Sequence, residues 1–146
     1  TAREAAVHER FTMAIIGFID THFANEKMLV GDLDAAIELA RNAVEMDYVS
    51  GETLTRAAAV AALVEALLRR GGLTDLAEAR AAIERLAAVP TGPGFIINEI
   101  WLLRMRALLA KGLGDNTAYR NLRDRYREMA NSLGFEGHIA WAKEMQ

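Results

Sequence analysis

Apolar residues along this chain recur three and four positions apart, the spacing that puts them on one face of an α-helix. The stretch Leu33–Ala36–Leu39–Ala40–Ala43 has this spacing, as does Leu76–Ala79–Ile83–Leu86. No segment alternates apolar and polar residues between turn signals as a strand would. Ala, Leu, Glu and Arg dominate, and all are good helix formers. The sequence has only 2 prolines, both in Val89–Gly94 (VPTGPG), so little else interrupts a helical reading.

Punctuation predicts seven helices. The first covers about Arg3 to Ala24. Others begin after Val30–Asp32, Ser50–Thr53, Gly71–Asp75, the PTGPG breaker, Gly112–Asp115 and Gly134–Gly137. Asp75 and Asp115 are expected at N-caps, accepting the free backbone N–H groups of a first turn. Gly71, Gly112 and Gly134 stand where a helix ends in the left-handed conformation.

The chain also repeats itself. ALLRRGGLTD (Ala66–Asp75) is echoed by ALLAKGLGD (Ala107–Asp115). With Asp32, Asp75 and Asp115 aligned, the copies lie 43 and 40 residues apart. Four residues on come Ala36, Ala79 and Tyr119; seven on, Leu39, Ala82 and Leu122; eleven on, Ala43, Leu86 and Tyr126. One helical face is thus written three times, the signature of stacked helix pairs. The expected fold is an all-α, tetratricopeptide-like α-solenoid of about seven antiparallel helices, with residues 1–146 as a single helical-repeat domain. The period exceeds the roughly 34 residues of a tetratricopeptide repeat, so the copies are loose.

Composition narrows the function classes. The net charge is −3, which gives no electrostatic reason to expect a nucleic-acid or anionic membrane partner. There are no cysteines, which removes thiol catalysis and Cys-based zinc sites and fits a reducing cytoplasm. No apolar run reaches the about 20 residues of a membrane span. His8, His22 and His138 stand apart, with no pair spaced to grip a metal from one helix. PTGPG lacks the Gly-Lys-Ser/Thr ending of a phosphate loop and reads as a helix breaker. Arg120, Arg123, Arg125 and Arg127 cluster with Tyr119 and Tyr126. The tyrosines belong to the apolar stripe, however, which leaves the arginines as a solvated flank rather than a nucleic-acid site. No catalytic constellation, cofactor or metal is expected.

Helix Phe95–Ala110 is apolar on most sides, as a central helix should be. Asn98, Glu99 and Arg106 share an angular sector on it, and Arg56 occupies the preceding inner helix. These four are the candidate residues for a partner or ligand, with Arg56 and Arg106 expected to be dispensable for stability. From about Gly31 onward, the segments ALVEALLRRGG, LAEARAAIERLAAVPTGPGF, WLLRMRALLAKGLGD and YRNLRDRYREMANSLGFEGHIAWAKEM resemble the C-terminal helical-repeat region of large actinobacterial signalling proteins. In these, a class III adenylate cyclase or a LuxR-type DNA-binding module is joined to an AAA-type ATPase and then to tetratricopeptide-like repeats. The resemblance implies a regulatory piece of a longer cytoplasmic protein and supplies no catalytic residue. It points to a protein or peptide partner, including a second copy as a homodimer, or alternatively to a small-molecule effector.

Overall fold

A computed structural model describes residues 1–92 and 95–146. Seven α-helices make up its regular structure: α1 (Ala2–Leu29), α2 (Leu33–Ser50), α3 (Arg56–Arg70), α4 (Leu73–Ala87), α5 (Ile96–Gly112), α6 (Asn116–Leu133) and α7 (Glu136–Glu144). No strand occurs among the described residues. Pro93 and Gly94, two of the five residues of the PTGPG breaker, lie outside them.

Each helix packs against the next. In addition α1 packs on α3 and α3 on α5, whereas the backbones of α2, α4 and α6 stay apart among the described residues, α2 and α4 meeting through long side chains such as Arg41 with Glu78 at 2.6 Å and Arg85 with Glu45. The odd helices therefore line the inside of the stack and the even helices the outside, the layout of an α-solenoid. α3 shows why it sits centrally. Ala57, Ala59, Val60, Ala61, Ala62, Leu63, Val64, Ala66 and Leu67 are all buried, so α3 is enclosed on nearly every side. Its alanines let α1, α2 and α5 approach closely, and small residues lose little side-chain entropy on burial. One apolar cluster spans α1 to α5 and a second spans α5 to α7; Trp101 packs against both.

The repeated face is the buried face. Ala36, Ala79 and Tyr119 are buried, Ala43, Leu86 and Tyr126 are buried, and Leu39, Ala82 and Leu122 are half-buried. Asp115 is the N-cap of α6 as expected, and the aligned Asp32 is the N-cap of α2. Asp32 accepts from Ala35 N at 3.2 Å and Asp115 from Ala118 N at 3.0 Å.

Asp75 does not cap. α4 starts at Leu73 with Gly72 as its N-cap, which puts Asp75 in the first turn. There its carboxylate accepts from Gly72 N at 3.1 Å and from Arg70 at 3.0 and 2.7 Å. That forked pair holds the Asp75 carboxyl down at about 2. The glycine expectation also shifts at one place. Gly71 and Gly134 are left-handed, but in the third turn the left-handed residue is Gly114 and not Gly112. Gly112 still belongs to α5, where a Cβ would stand 3.3 Å from Leu68 Cδ2.

The first helix runs to Leu29, five residues beyond its expected end, because nothing breaks it before Gly31. The third begins at Arg56 because Ser50–Thr55 form a side-chain-bonded turn, with Glu52 N donating to Ser50 Oγ and Leu54 N to Glu52 Oε1.

Candidate functional site

The inner helices α1, α3, α5 and α7 enclose a concave groove of about 510 Å³. Its floor is Ala58, Ala61 and Ala62 of α3, whose missing side chains give the groove its depth. Met28 of α1 and Trp101 of α5 supply apolar walls, and Trp141 of α7 closes one end. A second depression of about 280 Å³ continues along the α3–α5 seam past Leu68, Leu108 and Lys111, and it shares Glu65 and Arg69 with the first. The Glu65–Arg69 pair thus borders both depressions.

Glu65 is the electrostatic centre. It accepts from Arg69 Nη2 at 3.0 Å and from both terminal nitrogens of Arg104 at 3.3 Å. Arg69 also donates to the Met28 carbonyl at 3.5 Å, tying α3 to the end of α1. Two guanidinium groups on one carboxylate leave this part of the wall with one net positive charge. Arg104 Nε is buried without a partner. The Arg104 guanidinium lies 5.0 Å from the Trp141 ring centre, close enough for a cation–π contact.

An aromatic cluster behind the groove fixes Trp141. Trp101 and Trp141 are 5.4 Å apart, and His138 meets both edge-on at 4.7 and 5.2 Å. Tyr126 OH and His138 Nδ1 share a hydrogen bond of 2.8 Å. Burial, reinforced by the Arg104 charge, pushes His138 down to about 4, so its imidazole is neutral at pH 7. Burial pushes Tyr126 up to about 12. Arg127 donates to the carbonyls of Ala142 and Met145, satisfying the end of α7. Arg123 pairs with Asp124 at 3.0 Å. Two arginines of the basic stretch are thus engaged within the fold.

The four candidates from sequence are not brought together, and none lines the groove. Arg56 is buried at the start of α3. It donates to the Asp47 carbonyl at 3.4 Å and covers the Tyr48 ring at 4.6 Å, while Arg85 covers that ring at 3.6 Å. Asn98 is buried with its Oδ1 unpartnered. Glu99 is exposed. Arg106 turns toward α4, 3.9 Å from Glu84.

The groove residues themselves had weak sequence signals. Glu65 and Arg69 read as an ordinary helix-surface pair, and Arg104 as one of several interruptions in α5. The best available cue was the trio Ala58, Ala61 and Ala62, three small residues spaced three and four apart on one face of α3.

A second polar centre lies between α1, α2 and α3. Asp47 is fully buried, accepts from Thr55 Oγ1 at 3.2 Å, and has its Oδ1 unpartnered against Gly17. Burial raises its carboxyl to about 6. Among the described residues no group of three or more His, Asp or Glu side chains is placed to hold a metal, and no helix is long and apolar enough to cross a membrane. No protein-family model, curated protein or solved structure matches the chain.

Proposed function

We propose that this chain is a non-catalytic regulatory and interaction domain whose concave groove holds an extended peptide segment of a protein partner. The observation that carries the reading is that two depressions along α3 and α5 border the same Glu65–Arg69 pair. Two neighbouring depressions suit an extended chain better than a compact ligand. They offer alanine-floored space for apolar side chains, two tryptophans, and the Glu65–Arg69–Arg104 cluster to orient polar ones. The resemblance to helical-repeat regions of adenylate cyclases and LuxR-type regulators fits such a role inside a multidomain cytoplasmic signalling protein.

A small-molecule effector is the second reading. Its support is the main depression alone, whose volume lies within the roughly 300–1,000 Å³ of ligand pockets, with a few converging polar groups. Catalysis has less support. The most perturbed carboxyl and imidazole, Asp47 and His138, belong to separate parts of the fold, and neither lines the groove.

Panning a random peptide library against the chain tests the proposal. Selected peptides should lose binding to Ala58→Phe, which fills the groove floor. Peptides that bind wild type and variant alike overturn it. Native mass spectrometry separates the second reading, since a small mass retained by the wild-type monomer and lost from Ala58→Phe favours an effector.

A further inference from the structure

The exposed face of α1 carries a self-complementary apolar ridge. Val7, Phe11, Ile15, Ile19 and Phe23 follow one another at every fourth position and are each 42–63% exposed. Residues four apart form a continuous ridge on a helix surface. Arg3 and Lys27 occupy the next positions at either end, so the apolar row stops at a charge on both sides. Phe18 and Ile16 flank it and are exposed as well.

The opposite face of α1, with Gly17, Ala24 and Met28 buried, already packs on its neighbours. The ridge is therefore additional to the helix's own packing. Residues 1–12 are exposed throughout, so the first three turns of α1 extend as an arm beyond the rest of the domain.

We infer that this ridge is the dimer interface of the protein, formed with a second copy of the same chain. The even spacing of the ridge about Ile15 lets it meet a second copy of itself, and the area it leaves open is what selects that partner. A two-fold axis through that residue sets Ile15 against Ile15, Phe11 against Ile19 and Val7 against Phe23, as an isologous contact requires. Each arm then covers the back of the other copy's α1. Ridges of this class pack with the helices crossed by about 50°, so the pairs nearest Ile15 carry the contact and the two helices diverge toward both ends, where Arg3 and Lys27 lie.

The area is also sufficient. At about 200 Å² for a fully exposed aromatic or branched aliphatic residue, the seven side chains leave roughly 700 Å² open per chain. A standard interface takes about 800 Å² from each partner, whereas the largest apolar patch of a typical monomer is roughly 300–600 Å².

The chain has no cysteine, which allows a direct test. Ile15→Cys should give a disulfide-linked dimer on mild oxidation, because the residue faces its own copy. Leu73→Cys, still more accessible at the start of α4, should not. Sedimentation equilibrium should show a wild-type dimer. Ile15→Glu should weaken it by about a hundredfold or more, since two carboxylates would meet at the axis, while leaving the helical circular dichroism intact. A wild type that stays monomeric at millimolar concentration overturns the inference and leaves the ridge to a different protein or another part of a longer polypeptide. A dimer unaffected by Ile15→Glu, or equal cross-linking through Leu73→Cys, overturns it too.

Discussion

Replacing Gly17 with Ala sets two opposing effects against each other, and the structure says which should prevail. Gly17 lies in the middle of α1 with ordinary helical backbone. On propensity alone, Ala in place of Gly should stabilise the helix by about 1 kcal/mol. A Cβ there, however, would stand 2.5 Å from Asp47 Oδ1 and 3.3 Å from the Ala43 carbonyl oxygen. The carboxylate is fully buried and its other oxygen is held by Thr55, so it cannot swing out without losing that bond. Overpacking of this kind costs about 1–3 kcal/mol, and a lost hydrogen bond about 1 kcal/mol more. The net expectation is destabilisation by about 1–3 kcal/mol, read from urea denaturation at pH 7.

The cycle with Asp47→Ala isolates the cause. In that background the obstructing carboxylate is gone and Gly17→Ala should become neutral or stabilising, a coupling of about 1–3 kcal/mol. If Gly17→Ala stabilises the wild-type protein, α1 and α2 do not approach as closely as the structure has them and the reasoning fails.

Other expectations follow from the same packing. Ala79→Leu should destabilise by about 1–3 kcal/mol, because Ala79 is fully buried on the repeated face; an unchanged Tm would contradict the repeat register. Arg56→Ala should also lower stability, by about 1–3 kcal/mol, since it uncovers Tyr48 and removes a buried contact; a neutral result would restore Arg56 as a free surface residue.

The pH response divides by sign. His138 is depressed from 6.5 to about 4, so its contribution is present above pH 6.5 and lost as pH falls toward 4. Asp47 is raised from 3.8 to about 6, so its contribution is present below pH 3.8 and lost as pH rises through 6. These slopes oppose each other between pH 4 and 6.5. Asp47→Asn should therefore make stability fall more steeply on acidification than in wild type, by about 1–3 kcal/mol between pH 7 and pH 4. Parallel curves from denaturation at several pH values would contradict it.

What the sequence discloses follows the range of each interaction. Asp32 and Asp115 cap residues three positions away, and Gly71 and Gly134 end helices they adjoin, so these features are local and readable. The threefold repeat is readable because one face recurs. Asp75 misleads because the echo of GLTD with GLGD hides a helix that starts earlier, at Leu73. The groove was not readable because its contacts are distant: Arg104 reaches Glu65 across 39 residues, and Trp141 meets Trp101 across 40. Arg104 and Arg106 look alike in sequence, yet two positions on a helix point nearly opposite ways. One turns into the groove and the other toward α4.

Tryptophan emission tests the central claim most directly, because both tryptophans of the chain, Trp101 and Trp141, line the groove. A peptide selected by panning should shift or quench that emission saturably in wild type, and the response should vanish in Ala58→Phe. A peptide that binds by calorimetry with undiminished affinity for Ala58→Phe, and leaves the emission unchanged, would place the binding surface elsewhere and contradict the account.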